Sequence, residues 1–172
     1  MYIGWSNYNR EKIAEATAIL NDLKCPFVIN QNRYSIFDRT VENNGLKETA
    51  KKLGKGIIAF SPLAQGLLTD KYLYRIPEDS RIKKDGRYIQ ENALTPKRLE
   101  QIKKLNELAC ERGQFLAQMA LAWVLRDRVV TSVLIGASKP QKVLDNIEAA
   151  NNTDFSGEEL DIIEKIYLSN MQ

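Results

Sequence analysis

The sequence predicts an α/β fold in which parallel β-strands alternate with α-helices. Short apolar, β-branched runs recur along the chain, and most of them are followed by a stretch with helical apolar spacing. The runs end in turns rich in Gly, Ser, Asn or Pro, which are the residues that begin and end such elements. Alternation of this kind requires a parallel sheet whose strands are joined by right-handed crossovers.

The first half of the chain contains three predicted strands. They are Tyr2–Trp5, a run that begins at Phe27, and Ile57–Phe60. Asn9 is suited to cap the first helix, whose apolar stripe consists of Ile13, Ala16, Leu20 and Leu23. The segment Thr40–Leu53 is predicted to be helical in part, with Leu46, Ala50 and Leu53 on one face.

A long polar stretch, residues 69–94, separates the third strand from the next helices. It carries many Lys and Arg residues, and a connection of this length in a compact domain is more often functional than idle. Thr95 then caps a helix that has Pro96 at its first position. The segment Phe115–Leu125 predicts a buried helix. The fourth strand, Val129–Ile135, is apolar enough to be covered on both faces.

Two capping boxes are predicted near the end of the chain. Ser138 with Gln141 would open one helix, and Ser156 with Glu159 would open the last. The apolar residues behind both boxes are expected to belong to the core.

Composition excludes several classes of function. The chain has 172 residues and a formal net charge of only +3, so its total charge argues against a nucleic-acid partner. No apolar run approaches the ~20 residues of a membrane span, and no secretory signal is visible. We expect no membrane partner, and we interpret Cys25 and Cys110 as buried thiols of a cytoplasmic protein. The chain has no histidine, and we predict no metal site.

The turns after the four strands carry the candidate site. Ligands of parallel α/β folds bind at the carboxyl ends of the strands. The residues found there are Ser6, Asn7, Gln31, Phe60, Ser61, Pro62, Leu63, Gly66, Gly136, Ser138 and Lys139. Ser138 would open a helix whose N-terminus favours an anion, and Lys139 and Lys142 stand beside it. The set resembles a cradle for a phosphorylated ligand that has an amide-bearing ring.

Each of these residues also has an ordinary structural interpretation. Ser6 and Asn7 are common in turns, and a single Gln31 at a strand end is usually a satisfied polar group. Phe60 would suit a core, and Ser138 would cap its helix with or without a ligand. Only the coincidence of four such turns at one edge of the sheet favours a binding site.

Several of these motifs resemble one known family. They are GWSNYN (4–9), NQNRYS (30–35), AFSPLAQGLLTDKY (59–72), IPEDSR (76–81) and VLIGASKPQKVLDNI (133–147). They span nearly the whole chain, and it resembles the C-terminal half of an aldo-keto reductase. The nearest group contains bacterial glyceraldehyde-3-phosphate-type reductases and potassium-channel beta subunits.

The resemblance implies the second half of a (β/α)8 TIM barrel that binds NADP(H). Residues 1–172 would form a single partial domain, with an inserted cofactor loop at about 69–94. It implies that Ser6, Asn7 and Gln31 hold the nicotinamide carboxamide and that Phe60 stacks on the nicotinamide ring. Ser61, Leu63 and Gly66, in the turn that contains Pro62, would contact the pyrophosphate. Lys71 and Arg81 would come from the loop that closes over the cofactor. The 2′-phosphate would be held by Gly136, Ser138, Lys139 and Lys142, with Asp145 and Asn146 near the adenine.

The resemblance also implies that this chain lacks the catalytic residues. The family's Asp, Tyr, Lys and His belong to the first half of the barrel, so no catalytic residue is assigned here. The full form would reduce small aldehydes or ketones to alcohols. Three accounts stay open: a truncated or split gene, which we favour, a two-chain enzyme, and a non-catalytic NADP-binding or interaction module. A half-barrel with open edges is expected to pair with an N-terminal half-barrel chain or to form a homo-oligomer.

Overall fold

The computed structural model describes residues 2–73 and 94–169, and its centre is a four-stranded parallel sheet in the order β1-β2-β3-β4. The strands are β1 (Ile3–Ser6), β2 (Phe27–Arg33), β3 (Gly56–Phe60) and β4 (Val130–Val133). The helices are α1 (Arg10–Asp22), α2 (Thr40–Asn43), α3 (Leu46–Lys52), α4 (Pro96–Glu111), α5 (Leu116–Leu125), α6 (Pro140–Ile147) and α7 (Gly157–Leu168). Three 3-10 turns accompany them: Ala64–Gly66, Asp70–Tyr72 and Glu148–Asn151. The predicted α/β fold is confirmed, and its order of parallel strands and helices is the one expected for part of a (β/α)8 barrel.

The strands are aligned so that their carboxyl ends meet at one edge. Ser6 pairs with Gln31, Gln31 with Ile58, and Ile58 with Ser132. Gly56 permits the close approach of β3 to β4, because a Cβ atom there would lie 2.4 Å from the Thr131 hydroxyl oxygen.

One face of the sheet carries the core. Ile57 and Ala59 of β3 are fully buried there, and Met119 and Trp123 of α5 belong to the same hydrophobic core. The opposite face carries Ser6, Gln31, Ile58 and Phe60, all of them half-buried or exposed. We refer to this side of the sheet as the open face.

The fourth strand differs from its prediction. It spans only Val130–Val133, and Thr131, Ser132 and Leu134 are exposed rather than covered on both faces. The physical reason is position, since β4 is an edge strand of the described sheet and one of its sides belongs to the open face.

Other expected core residues are exposed in the described part of the chain. Leu23 lies just beyond α1, and α6 contains no buried residue, so that Val143, Leu144 and Ile147 all face outward. Cys25 is half-buried and Cys110 is exposed, so the prediction of two buried thiols is wrong. Within the described ranges, no helix is both long and apolar enough to cross a membrane.

Three of the predicted helix caps are confirmed and one is wrong. The side chains of Asn9, Thr95 and Ser156 each accept a hydrogen bond from a backbone N–H of the helix that follows. Ser138 does not cap α6, which begins at Pro140 with Lys139 as its N-cap and without a side-chain capping bond. Pro140 explains the difference, because it is pre-set for the first helical position and forces Lys139 into an extended conformation.

Replacing Ser156 with alanine is expected to lower the free energy of unfolding by about 1 kcal/mol. The Ser156 hydroxyl oxygen accepts from the Glu159 N–H at 3.1 Å, and the Glu159 carboxylate accepts from the Ser156 N–H at 2.7 Å. Ser138→Ala is the matched control and should change stability by less than about 0.5 kcal/mol. Chemical denaturation of both variants measures the difference, and equal losses would show that the box contributes nothing.

Candidate functional site

The ends of β1 and β2 bring three predicted site residues together. Ser6 is the register partner of Gln31, and the Asn7 N–H donates to the Gln31 carbonyl oxygen at 2.8 Å. Asn7 has a left-handed backbone (φ 59°), which turns the chain sharply where the strand ends. Asparagine tolerates this conformation better than most residues. One hydroxyl and two primary amides therefore collect at this edge of the sheet.

Phe60 lies on the open face, two residues beyond Ile58 along β3, and Ile58 is the register partner of Gln31. Phe60 itself has Arg33 as its register partner, and its carbonyl oxygen accepts from the Tyr34 N–H at 3.3 Å. Phe60 is half-buried, so part of the residue stays accessible on the open face. An aromatic ring at that place can stack on a flat heterocycle.

The turn after β3 is wound tightly by its own backbone. The Ala64 N–H donates to the Ser61 carbonyl at 2.9 Å, and the Gly66 N–H donates to the Leu63 carbonyl at 2.8 Å. Pro62 is buried, whereas Ser61, Leu63 and Gly66 are half-buried. Pro62 therefore belongs to the packing of the turn, and the other three keep partial access to a ligand.

Sequence reasoning missed that this turn is strained. Ser61, Ala64 and Gln65 all have positive φ, at 52°, 47° and 60°, in addition to Gly66 at 99°. A left-handed conformation costs a residue with a Cβ about 1 kcal/mol, and such residues tend to persist at functional sites. Only Gly66 signalled this in the sequence, because nothing in a serine, alanine or glutamine announces a positive φ.

The fourth turn leads to the lysines of α6. The Leu134 N–H donates to the Ala59 carbonyl at 2.8 Å, which keeps the chain beside β3 after β4 has ended. Gly136, Ser138, Lys139 and Lys142 are all exposed. Farther along α6, Asp145 and Asn146 are half-buried. One oxygen of the Asp145 carboxylate accepts from Gln141 at 3.0 Å.

Two predicted residues belong to the long connection. Lys71 is half-buried in the 3-10 turn Asp70–Tyr72, where its backbone N–H donates to the Thr69 hydroxyl oxygen at 3.4 Å. Arg81 lies outside the described residues, as does most of the predicted cofactor loop. Among the residues that are described, no group of three or more His, Cys, Asp or Glu could hold a metal ion.

A cluster of charged side chains, also missed from the sequence, lies beneath the turn that follows β2. Its members, which we call the Tyr34 cluster, are Tyr34, Glu42, Lys47, Arg126 and Asp127. The Glu42 carboxylate accepts from the Tyr34 hydroxyl, from Arg126 at 2.7 Å and from Lys47 at 3.4 Å. Lys47 also pairs with Asp127 at 2.8 Å. These contacts join α2 and α3 to the end of α5, and they fix the chain beside Phe60.

The protonation states of the cluster follow from burial and from its contacts. Burial raises the pKa of Tyr34 above its ordinary value, so the phenol stays neutral and donates. Burial alone would also raise the pKa of Glu42, but hydrogen bonds from Tyr34 and Arg126 together bring it below its usual range. The carboxylate is therefore held in its charged form.

Comparison with known proteins gives a consistent result. Residues 1–168 match the model of the "Aldo/keto reductase family". The chain is similar to "L-glyceraldehyde 3-phosphate reductase" of Escherichia coli strain K12, with 46% identity over 165 residues, covering 93% of this chain and 47% of the relative. The protein of that name from Escherichia coli O157:H7 has the same identity and coverage.

A more distant relative carries a different description. The chain is 33% identical over 152 residues to a "Probable voltage-gated potassium channel subunit beta" of Oryza sativa subsp. japonica, covering 86% of this chain and 46% of the relative. The chain thus spans about half the length of the curated relatives it matches.

Proposed function

Because this chain belongs to the aldo/keto reductase family, we propose that it is the NADP(H)-binding part of an enzyme that reduces aldehydes or ketones to alcohols. The resemblance carried by its sequence motifs is confirmed by the family match and by both kinds of relative. The reduction itself, the cofactor and the substrate belong to the proposal. The name of the bacterial relatives suggests a small phosphorylated aldehyde as substrate.

The observation that carries the proposal is the convergence of Ser6, Asn7 and Gln31 at adjacent strand ends. A carboxamide has two donor hydrogens and an acceptor oxygen, and a hydroxyl with two side-chain amides can complement all of them. Phe60 stands one step farther on the same face, where it could stack on the ring that carries the carboxamide. We propose these four residues as the nicotinamide site.

The phosphate-binding part of the proposal rests on exposed charge. Lys139 and Lys142 are accessible at the start of α6, beside Gly136 and Ser138. Two ammonium groups and the N-terminus of a helix favour an anion such as the adenosine 2′-phosphate. We propose that Ser61, Leu63 and Gly66 contact the pyrophosphate, which joins the nicotinamide end of the cofactor to its adenosine end. Asp145 and Asn146 would lie near the adenine.

We propose that the chain holds and orients the cofactor but does not complete the chemistry alone. Bound NADPH would supply the hydride, and the acid that protonates the carbonyl oxygen would come from the other half of the barrel. The other half would be supplied either by the same protein or by a second chain. In each enzymatic account we place the protein in the cytoplasm. The N-terminal half-barrel, or a second copy, would cover the open face.

The second candidate is a non-catalytic NADP-binding or interaction module, and it is favoured by the similarity to a channel beta subunit. The two proposals differ in what happens when the first half of a related reductase is supplied. Carbonyl-dependent oxidation of NADPH by the two halves together would favour the enzyme. Cofactor binding without turnover under those conditions would favour the module.

Titration of the purified chain with NADPH tests cofactor binding. We expect saturable quenching of tryptophan fluorescence, since Trp5 lies on the strand that leads to Ser6 and Asn7. Size-exclusion chromatography on the same sample reports whether the binding species is a defined oligomer. Absence of saturable binding by a folded sample would overturn the proposal. Carbonyl-dependent NADPH oxidation by the chain alone would overturn the proposal that the chain cannot complete the reaction without the other half of the barrel.

A further inference from the structure

We propose that Asn30 and Asn32 are positioning residues that hold the turn at Ser6 and Asn7 in the shape that receives the carboxamide. This inference rests on the proposed binding of NADP(H). The two asparagines lie on β2 but face away from the proposed ligand, toward the helices. Their role would therefore be exerted through the backbone of the neighbouring turn.

Three hydrogen bonds carry the inference. The Asn30 side-chain NH2 donates to the Tyr8 backbone carbonyl oxygen at 3.1 Å. It also donates to the side-chain oxygen of Asn32 at 2.7 Å. The Asn32 amide donates to the same Tyr8 carbonyl at 3.2 Å. Asn30 is 0% exposed and Asn32 is 9% exposed, so these bonds are shielded from water.

The Tyr8 carbonyl follows directly after the residue that turns the chain. Asn7 has its left-handed backbone there, and its N–H is held by the Gln31 carbonyl on the other side. The Tyr8 ring stacks on Trp5, with the ring centres 4.8 Å apart and the planes 13° from parallel. The turn is thus tied to β2 by its N–H before the bend and by its carbonyl after it. Tethers on both sides fix where the side chains of Ser6 and Asn7 stand relative to Gln31.

An amide is a costly choice at this position if its purpose is stability alone. Asn30 is the register partner of Ile57, which is equally buried, so an aliphatic side chain would suit the layer. The Asn30 side-chain oxygen also has no hydrogen-bond partner among the residues that the structure describes. A buried polar atom without a partner lowers stability. The benefit of the asparagine is therefore expected in the geometry of the turn.

The test separates the nicotinamide end of the cofactor from its phosphate end. The variants are Asn30→Leu, Asn32→Leu and the double variant, because leucine keeps the shape of asparagine and removes its polar atoms. The probes are NADPH and 2′,5′-ADP, which has the 2′-phosphate but no nicotinamide.

We expect the double variant to raise the dissociation constant of NADPH about tenfold, since two hydrogen bonds to the turn are lost. The dissociation constant of 2′,5′-ADP should change less than about twofold, and each single variant should give an intermediate effect on NADPH.

Ile57→Ala is the matched control on the same row of the sheet. It should lower the melting temperature more than the asparagine variants do, while the ratio of the two dissociation constants stays as in the unmodified chain. Equal weakening of both ligands by the double variant, or no weakening, would overturn the positioning role. Failure of the unmodified chain to bind NADPH would instead overturn the proposed function and this inference with it. Melting temperatures of all variants identify any loss that comes from unfolding.

Discussion

Replacing Glu42 with glutamine is expected to lower the free energy of unfolding by about 3 kcal/mol, because it breaks a partly buried ion cluster from its centre. The Glu42 carboxylate accepts hydrogen bonds from Tyr34 and Arg126 and faces the ammonium group of Lys47. Glutamine keeps the shape but removes the charge, so Arg126 loses the carboxylate that it pairs with at 2.7 Å, while Lys47 keeps its ion pair with Asp127. Urea-induced unfolding at pH 7 measures the loss.

The same substitution at the surface provides the control. Glu48 pairs with Lys52 at 2.8 Å one turn apart on α3, and their side chains are 70% and 73% exposed. Solvent screens such a pair, so Glu48→Gln should cost less than about 0.5 kcal/mol. Similar losses at positions 42 and 48 would show that the Tyr34 cluster stabilises the fold no more than a surface pair does.

The dependence of stability on pH gives a second measurement on the Glu42 variant. Burial opposes ionisation of Glu42 and Asp127, but their hydrogen bonds and neighbouring cations prevail and hold the pKa of each carboxyl below its usual range. A carboxyl group with a lowered pKa stabilises the fold above its unfolded pKa, and that stabilisation is lost as the pH falls through the folded pKa. The unmodified chain should therefore lose stability below about pH 4.5, and Glu42→Gln should lose less over the same range. Parallel slopes would contradict this assignment.

Removing both lysines at the start of α6 is expected to give the largest change in cofactor binding. The double variant Lys139→Ala/Lys142→Ala should raise the dissociation constant of NADPH about 100-fold, since each charge-assisted contact to a phosphate contributes about 1.5 kcal/mol. NADH lacks the 2′-phosphate, so its binding should change little. Fluorescence titration with both cofactors measures the two effects.

The control for the lysine variant is a second pair of exposed lysines. Lys51 and Lys52 end α3, and their replacement by alanine lowers the net charge by the same amount. If binding depended on total charge, both double variants would weaken NADPH equally. Equal weakening of NADPH and NADH by the α6 variant would show that these lysines do not contact the 2′-phosphate.

The sequence was sufficient to predict the features that depend on neighbours along the chain. Strand–helix alternation and the caps at Asn9, Thr95 and Ser156 follow from local spacing and local hydrogen bonds. The gathering of Ser6, Asn7 and Gln31 could also be foreseen, because parallel strands bring their carboxyl ends to one edge.

Features that depend on distant neighbours could not be predicted in this way. The members of the Tyr34 cluster come from two distant stretches of the chain, 34–47 and 126–127, and nothing in their spacing indicates that they meet. The apolar run of β4 indicates a strand but not which of its faces is covered. The capping box predicted for Ser138 and Gln141 is wrong for a local reason. Pro140 holds Lys139 in an extended conformation, so that Lys139 rather than Ser138 is the N-cap of α6.

The order of the strands in the sheet has a consequence for how the chain folds during its synthesis. Each of β2, β3 and β4 pairs with the strand that precedes it along the chain, so the sheet can grow at one edge as residues leave the ribosome. Among the four strands that the structure describes, none has to wait for a later strand to be inserted between it and its neighbour. The first pairing closes over α1 alone and the second over the two short helices α2 and α3, whereas β4 joins only after the long connection, α4 and α5 have been made. Addition of β4 is therefore the step at which a nascent chain would pause, with the edge of β3 still open.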